Sequence, residues 1–209
     1  MPQAGLLLAS ASPRRIEMLN ALGVPFSSCA SAVDESVYDD RGIGERVVAL
    51  ARLKAQAGLE IWMEGSYPSG PMLVIGADTL VSVDGIALGK ATNKEEAREM
   101  LRMLSGRVHI VSTGLCVIES LTRKMETALS ETKVSFVQLS EAEIDWYLAT
   151  DEWVGAAGAY RIQEHASYFV ERVEGSFSGV VGLPLHAFYA ILCRFGYRFP
   201  SGRQAGTAM

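Results

Sequence analysis

The sequence holds only three cysteines, Cys29, Cys116 and Cys193, an odd number set far apart. With no CxxC and no cysteine–histidine spacing suited to zinc, a disulfide framework and a structural zinc site both lack support. His109, His165 and His186 are equally scattered and form neither a zincin motif nor an evident triad. Positive charge is short as well: 19 Lys and Arg stand against 24 Asp and Glu, a net charge of −5, with a pI near 5.3. A protein that coats nucleic acid needs a broad Lys/Arg surface, so that class is excluded, while a small polyanion held by a few local cations is not. No apolar run approaches the ~18 residues of a membrane span. Gly5-Leu6-Leu7-Leu8-Ala9 is too short for a signal-peptide core and no basic residue precedes it. The expected setting is therefore the cytoplasm, without membrane or nucleic acid. A GxGxxG dinucleotide loop is absent too. Gly89-Lys90-Ala91-Thr92 imitates the end of a phosphate-binding P-loop, but Asp84 stands where the first glycine belongs and Ala91 replaces the magnesium-holding hydroxyl.

At 209 residues, and roughly 150 residues per domain, the chain has length for one large domain or two small lobes. An apolar content of 49% with 21% charged residues is that of a folded globule. The pattern predicts a strand over Leu6–Ala9, then a helix opened by Ser12-Pro13, with Ile16, Leu19 and Leu22 on one face and Gly23 as its stop. A second helix is expected over Glu45–Gln56, and Gly65–Pro71 is turn chemistry. Strands follow at Met72–Ile75 and Leu80–Val83, split by Gly76-Ala77-Asp78-Thr79, then an Asp84-Gly85 turn and Ile86–Leu88 returning. A helix over Asn93–Met103 leads to strands at Val108–Val111, Leu115–Glu119 and Glu126–Gln138. Ser140 and Glu143 form a capping box for a helix reaching Leu148; a strand at Tyr168–Val173 and a helix at Leu185–Phe195 complete the series. Interleaved helices and strands make the class α/β with a mixed sheet. Residues 1–198 read as one domain and 199–209 as a polar tail that frays.

Four places carry chemistry. After the first strand, Ser10-Ala11-Ser12-Pro13-Arg14-Arg15 presents a helix N-terminus, whose free N–H groups suit an anion. Two arginines in that first turn oppose the helix dipole, so something negative should offset them. Asp78 lies just past an apolar strand, where a carboxylate can ligate a hard cation or orient water. Asp34-Glu35 is a second acidic pair, and Lys90 is a cation close in sequence to Asp78.

Six segments occur in one order: Ala9-Ser10-Ala11-Ser12-Pro13-Arg14-Arg15, Gly76-Ala77-Asp78-Thr79, Ser105-Gly106-Arg107-Val108-His109, Ser112-Thr113-Gly114, Gly158-Ala159-Tyr160-Arg161-Ile162-Gln163 and Val181-Gly182-Leu183-Pro184. Together they resemble the Maf family of nucleoside triphosphate pyrophosphatases, from about Leu6 to Phe195. The resemblance implies a two-lobed α/β fold like that of inosine triphosphate pyrophosphatases, a central substrate cleft and a homodimer. It implies hydrolysis of a nucleoside triphosphate to monophosphate and pyrophosphate with Mg²⁺ or Mn²⁺, in the branch that prefers dTTP and UTP. Carried over residue by residue, the catalytic acid falls on Asp78 and the substrate-binding residues on Ser10, Arg14, Arg15, Glu35, Lys54 and Lys90. Substrate specificity falls on Arg14, Thr79 and Gln163, and Glu35 is the cleft carboxylate; from their chemistry, Glu35 and Asp78 could each hold the metal or activate the water. Which of those two carboxylates holds metal and which activates water stays open. Many members carry Asp-Lys where this chain has Gly155-Ala156, which implies one cleft cation fewer. Thr79 can donate or accept toward a base, and Gly158 and Ala159 are small enough to leave room for a 5-methyl group. The alternatives are a purine-directed pyrophosphatase and a nucleotide-sensing division regulator with little turnover.

Overall fold

A computed structural model describes residues 4–65 and 70–199. The expected fraying tail beyond Phe199 and most of the Gly65–Pro71 turn lie outside the described residues. The elements run β1 (Gly5–Ala9), α1 (Pro13–Ala21), β2 (Ser27–Cys29), a 3₁₀ turn (Glu35–Tyr38), α2 (Ile43–Glu64), β3 (Met72–Val83) and β4 (Ile86–Leu88). They continue through α3 (Lys94–Leu104), β5 (Val108–Glu119), β6 (Met125–Phe136), α4 (Glu141–Leu148), a second 3₁₀ turn (His165–Phe169), β7 (Val170–Glu174), α5 (Phe177–Val181) and α6 (Leu185–Arg194). All strands share one mixed sheet in the order β2-β1-β3-β5-β6-β7, with β4 also on β3. β1 is parallel to both β2 and β3, and the other pairings are antiparallel.

Helix ends follow local chemistry. Asn93 accepts the Glu96 N–H at the start of α3, and the Ser140–Glu143 capping box is formed at α4. α1 departs from expectation. Ser12 makes no side-chain cap; instead the Ser10 hydroxyl accepts the Ser12 N–H at 3.2 Å. The helix stops at Ala21, and Leu22, expected on its apolar face, is half-exposed as Gly23 turns the chain at φ 63°.

Two expected breaks do not exist. β3 runs unbroken through Gly76–Thr79, and β5 through Ser112–Gly114, in a register that sets Asp78 opposite Gly114 and Thr79 opposite Thr113. The polar residues that read as interruptions lie inside paired strands. The glycines there have a steric reason. A Cβ on Gly76 would sit 2.1 Å from the Ala51 carbonyl oxygen, and one on Gly114 would sit 2.2 Å from that of Val47. α2, which is longer than the expected Glu45–Gln56, therefore rests with its own backbone against the sheet.

The sheet carries three packed clusters. Leu6, Leu8, Leu73, Ile75 and Leu115 face α1 and α6 through Leu19, Phe188, Ile191 and Leu192. On the other face Leu7, Ala9, Val74 and Ile118 meet Ala51, Ala55 and Leu59 of α2. At the far end Val81, Val83, Val111, Val134 and Phe136 pack with Leu101, Leu104, Ile144, Tyr147 and Tyr160. The two lobes are thus the two ends of one sheet. β3 joins them: one edge is paired along Leu73–Ser82 with β5, while the other holds β1 up to Ile75 and β4 from Val81. Between those points, around Asp78, no strand of the described residues pairs with that second edge.

Gly114→Ala should cost at least about 2 kcal/mol, because backbone cannot yield as a side chain would. Gly89→Ala, where nothing lies within 4 Å, should change stability by no more than about 0.5 kcal/mol. Urea unfolding of both variants checks the close-approach account, and a Gly114→Ala protein as stable as its parent would overturn it.

Candidate active site

The loops leaving β1 and β2 diverge, one to α1 on one face of the sheet and the other to α2 on the opposite face. Parallel strands with diverging loops open a crevice at their carboxyl ends. There lies a cavity of about 520 Å³, within the range of small-molecule sites. Ser10, Arg14, Arg15, Glu35, Lys54, Asp78, Thr79, Lys90 and Gln163 all line it. The structure brings together every site residue expected from the sequence, from segments as distant as β1 and the loop before β7.

Asp78 and Thr79 are neighbours in β3, so their side chains leave opposite faces of the sheet. Asp78 meets Lys54 of α2 at 2.6 Å, and the same ammonium meets Glu35 at 2.7 Å. Lys54 and Asp78 are buried, whereas Glu35 is 45% exposed at the cavity side. Asp34 holds the turn that carries Glu35 by accepting the Ser36 N–H at 2.9 Å. Burial pushes the Glu35 carboxyl up, but the Lys54 hydrogen bond and the charges of Lys54, Lys90 and Arg15 outweigh it. Its pKa is lowered.

Thr79 meets Arg15, which is buried among neutral acceptors. Its Nε donates to the Gly182 carbonyl at 2.7 Å, Nη1 to Ser10 at 3.1 Å and Nη2 to Thr79 at 3.1 Å. Burial lowers its pKa, the charge of Asp78 acts against that, and Arg14 adds to it; a guanidinium nonetheless stays charged. Three of its five N–H groups are satisfied, leaving two for a ligand. Among the residues lining the cavity, Arg14, Arg15, Lys54, Lys90 and Arg161 outnumber Glu17, Glu35, Asp78 and Glu164 by one positive charge. Arg14 donates to the Gly155 carbonyl at 3.3 Å, and its pKa is lowered by burial and then by neighbouring Arg161.

Gln163 is exposed at the cavity edge, on a loop with its own braces. Buried Glu152 accepts the His165 N–H at 3.0 Å and pairs with the His165 ring. Tyr147 Oη accepts the Arg161 N–H at 3.1 Å, and Arg161 donates to the Val154 carbonyl at 3.1 Å. Nothing local in the sequence marks Glu152 for this task. Ser31, Tyr160 and Arg161 also line the cavity without having been assigned a role. One expectation changes. Gly158 and Ala159 are buried behind the wall, with a Cβ on Gly158 meeting Val81 at 3.0 Å, so they offer no room for a methyl group. Ala156 is 1% exposed, and its neighbours Gly155 and Ala157 line the cavity together with the cation Arg161.

Comparison with known proteins agrees with this geometry. Residues 5–195 match the family model described as Maf-like protein. A dTTP/UTP pyrophosphatase of Caldicellulosiruptor bescii is 41% identical over 197 residues, 94% of this chain and 98% of the relative. One from Treponema denticola is 41% identical over 200 residues, covering 92% and 98%. One from Pelotomaculum thermopropionicum is 42% identical over 192 residues, covering 92% and 97%.

The lowered Glu35 pKa has a signed consequence. A depressed carboxylate contributes stability that is present above its ordinary value of 4.5 and lost as pH falls through the folded value. Glu35→Gln should therefore unfold at lower urea than the parent near pH 7, and the gap should close as pH falls below 4.5 and through the folded value. A gap independent of pH would contradict the Lys54–Glu35 pairing.

Proposed function

The chain belongs to the Maf family, and from that premise we propose that it hydrolyses dTTP and UTP to the monophosphate and pyrophosphate. The observation that carries the reading is one buried lysine bridging two carboxylates, Asp78 and Glu35, inside a cavity that also holds Arg14, Arg15 and Lys90. A triphosphate carries about four negative charges, and preorganised cations in a cleft stabilise the charge that grows on a leaving pyrophosphate. Ser10 and Arg15 are assigned to the phosphates together with the start of α1, whose first N–H groups suit an anion. Lys90 and Arg14 close the rim. Asp78 is assigned as the catalytic carboxylate: Lys54 holds Oδ1, and no described protein group donates to Oδ2. That oxygen is available to take a proton from an attacking water.

A pyrophosphatase of this family calls for a divalent cation, and the residues present fit one. No group of three His, Cys, Asp or Glu suited to a metal occurs among the described residues. Asp78 and Glu35 offer a pair of hard oxygen donors, and a hydrated Mg²⁺ or Mn²⁺ is bound through one or two carboxylates plus substrate phosphates. When bound it would neutralise negative charge on the phosphate oxygens. Base selection is assigned to Arg14 and Gln163 at the rim. Their donors suit the two carbonyls of uracil and thymine, and the Gln163 carbonyl suits N3–H. Cytosine would set donor against donor, and buried mismatches of this kind discriminate strongly.

Residues 1–198 are read as one functional unit, supported by the single sheet. No helix of the described residues is long and apolar enough to cross a membrane. The cytoplasm is the compartment such a substrate implies, and a homodimer is proposed on the family resemblance alone. Sizing with light scattering tests the dimer.

UTP and dTTP should exceed CTP by at least ~10-fold in kcat/KM, about 1.4 kcal/mol. A panel of nucleotides scored for pyrophosphate against orthophosphate checks this. CTP or GTP as the better substrate would refute the base assignment, and orthophosphate as the product would refute the reaction.

Asp78→Asn should lower kcat by ~10²-fold or more with the fold retained by circular dichroism. EDTA should abolish turnover of the parent, and Mg²⁺ or Mn²⁺ should restore it. A folded Asp78→Asn protein with near-parental kcat would move the catalytic role elsewhere.

A further inference from the structure

Thr113 has no role so far, yet it decides what Thr79 can do. It is fully buried on β5, opposite Thr79 in the register. Its Oγ1 lies 2.8 Å from the Gly179 carbonyl oxygen and 2.9 Å from Thr79 Oγ1. A carbonyl oxygen brings no proton, so the short contact to Gly179 takes the single proton of the Thr113 hydroxyl. The contact between the two threonines must then be filled by the proton of Thr79. The remaining neighbour of Thr79 is Arg15 Nη2 at 3.1 Å, which only donates. Hydrogen bonding therefore runs one way, from Arg15 to Thr79 to Thr113 to the Gly179 carbonyl. The reverse order would leave two lone pairs facing each other at 2.8 Å beside a buried carbonyl.

We infer that Thr113 is a positioning residue that fixes this direction, and that Thr79 acts on substrate through Arg15 rather than by touching the base. With its proton committed to Thr113, Thr79 has no donor for a uracil or thymine carbonyl. Its oxygen instead fixes one end of the Arg15 guanidinium, while Gly182 and Ser10 fix the others. The carbonyls of Gly179 and Gly182 both belong to the α5 turn, so that turn anchors both ends of the chain of bonds. The inference refines the pyrophosphatase reading and rests on it for the identity of the substrate.

The test is a double-mutant cycle on Thr79→Val and Thr113→Val, with Thr113→Ser as rescue. UTP hydrolysis supplies KM and kcat, calorimetry supplies binding of inorganic tripolyphosphate, and circular dichroism monitors the fold. Thr113→Val should raise KM and weaken tripolyphosphate by about 10-fold each, the scale of one hydrogen bond in a charged chain, with kcat changed far less. Thr113→Ser should return both to within about 3-fold. Thr79→Val should cost about as much alone, yet add less than about 2-fold in the Thr113→Val background, since coupled residues are non-additive. Additive losses, or failure of serine to restore binding, would overturn the inference. Should Thr113→Val unfold, Thr113→Ala takes its place in the same cycle. Should the parent release no pyrophosphate from UTP, the pyrophosphatase reading fails, and the tripolyphosphate series still decides the chain of hydrogen bonds.

Discussion

The contact between the backbone of α2 and the sheet governs the rest of the structure. At Gly76 and Gly114 the helix carbonyls of Ala51 and Val47 occupy the space that a methyl group would need. Lys54 lies three residues beyond Ala51, and Asp78 lies two beyond Gly76. Their 2.6 Å contact is therefore set by how deeply the helix is seated. Raising α2 by the thickness of one methyl group would separate two buried charges whose desolvation only a close pairing offsets. The same seating lets Leu50 and Leu59 be fully covered, each contributing about 1.5–3 kcal/mol of burial. Stability and the charge arrangement of the site thus rest on one steric fact.

A second consequence is the shape of the cavity. Because β3 has β5 along one edge and two separate partners on the other, the unpaired stretch around Asp78 opens to both faces of the sheet. Lys54 and Glu35 approach from one face and Arg15 from the other. The carboxylate centre and the guanidinium are kept apart by the thickness of the sheet, so each can satisfy its own hydrogen bonds. Arg15 is held by neutral oxygens and retains its positive charge for a ligand, instead of spending it on a direct carboxylate contact.

Most of this site was legible in the sequence, since all nine assigned residues reach one cavity. What carried them was the family resemblance that six short motifs establish by their order, because Lys54, outside all six, and Gln163 have no local signal that separates them from any surface lysine or glutamine. The fold was legible where burial and capping agree, as at Ser140–Glu143 and the Asp84-Gly85 turn. It was misread where function places polar residues inside a strand: Asp78-Thr79 and Ser112-Thr113 look like breaks because hydroxyls and acids are rare in buried sheet. β2, with only three residues, is too short to show an alternating pattern. α5 is a single short turn rich in small residues. Glu152 is invisible for another reason: a buried acid is recognised only once the loop it braces is in place.

The bond between Arg15 and the Gly182 carbonyl joins positions 167 residues apart. During synthesis β1 and α1 leave the ribosome long before α5, and contacts of such long range form late because closing so large a loop is entropically costly. Lys54, Asp78 and Glu35 all come from the first 78 residues, whereas the Arg15 guanidinium also needs the carbonyl of Gly182. The carboxylate half of the site is thus written in the early chain, and the cationic half is complete only when the segment carrying Gly182 has docked.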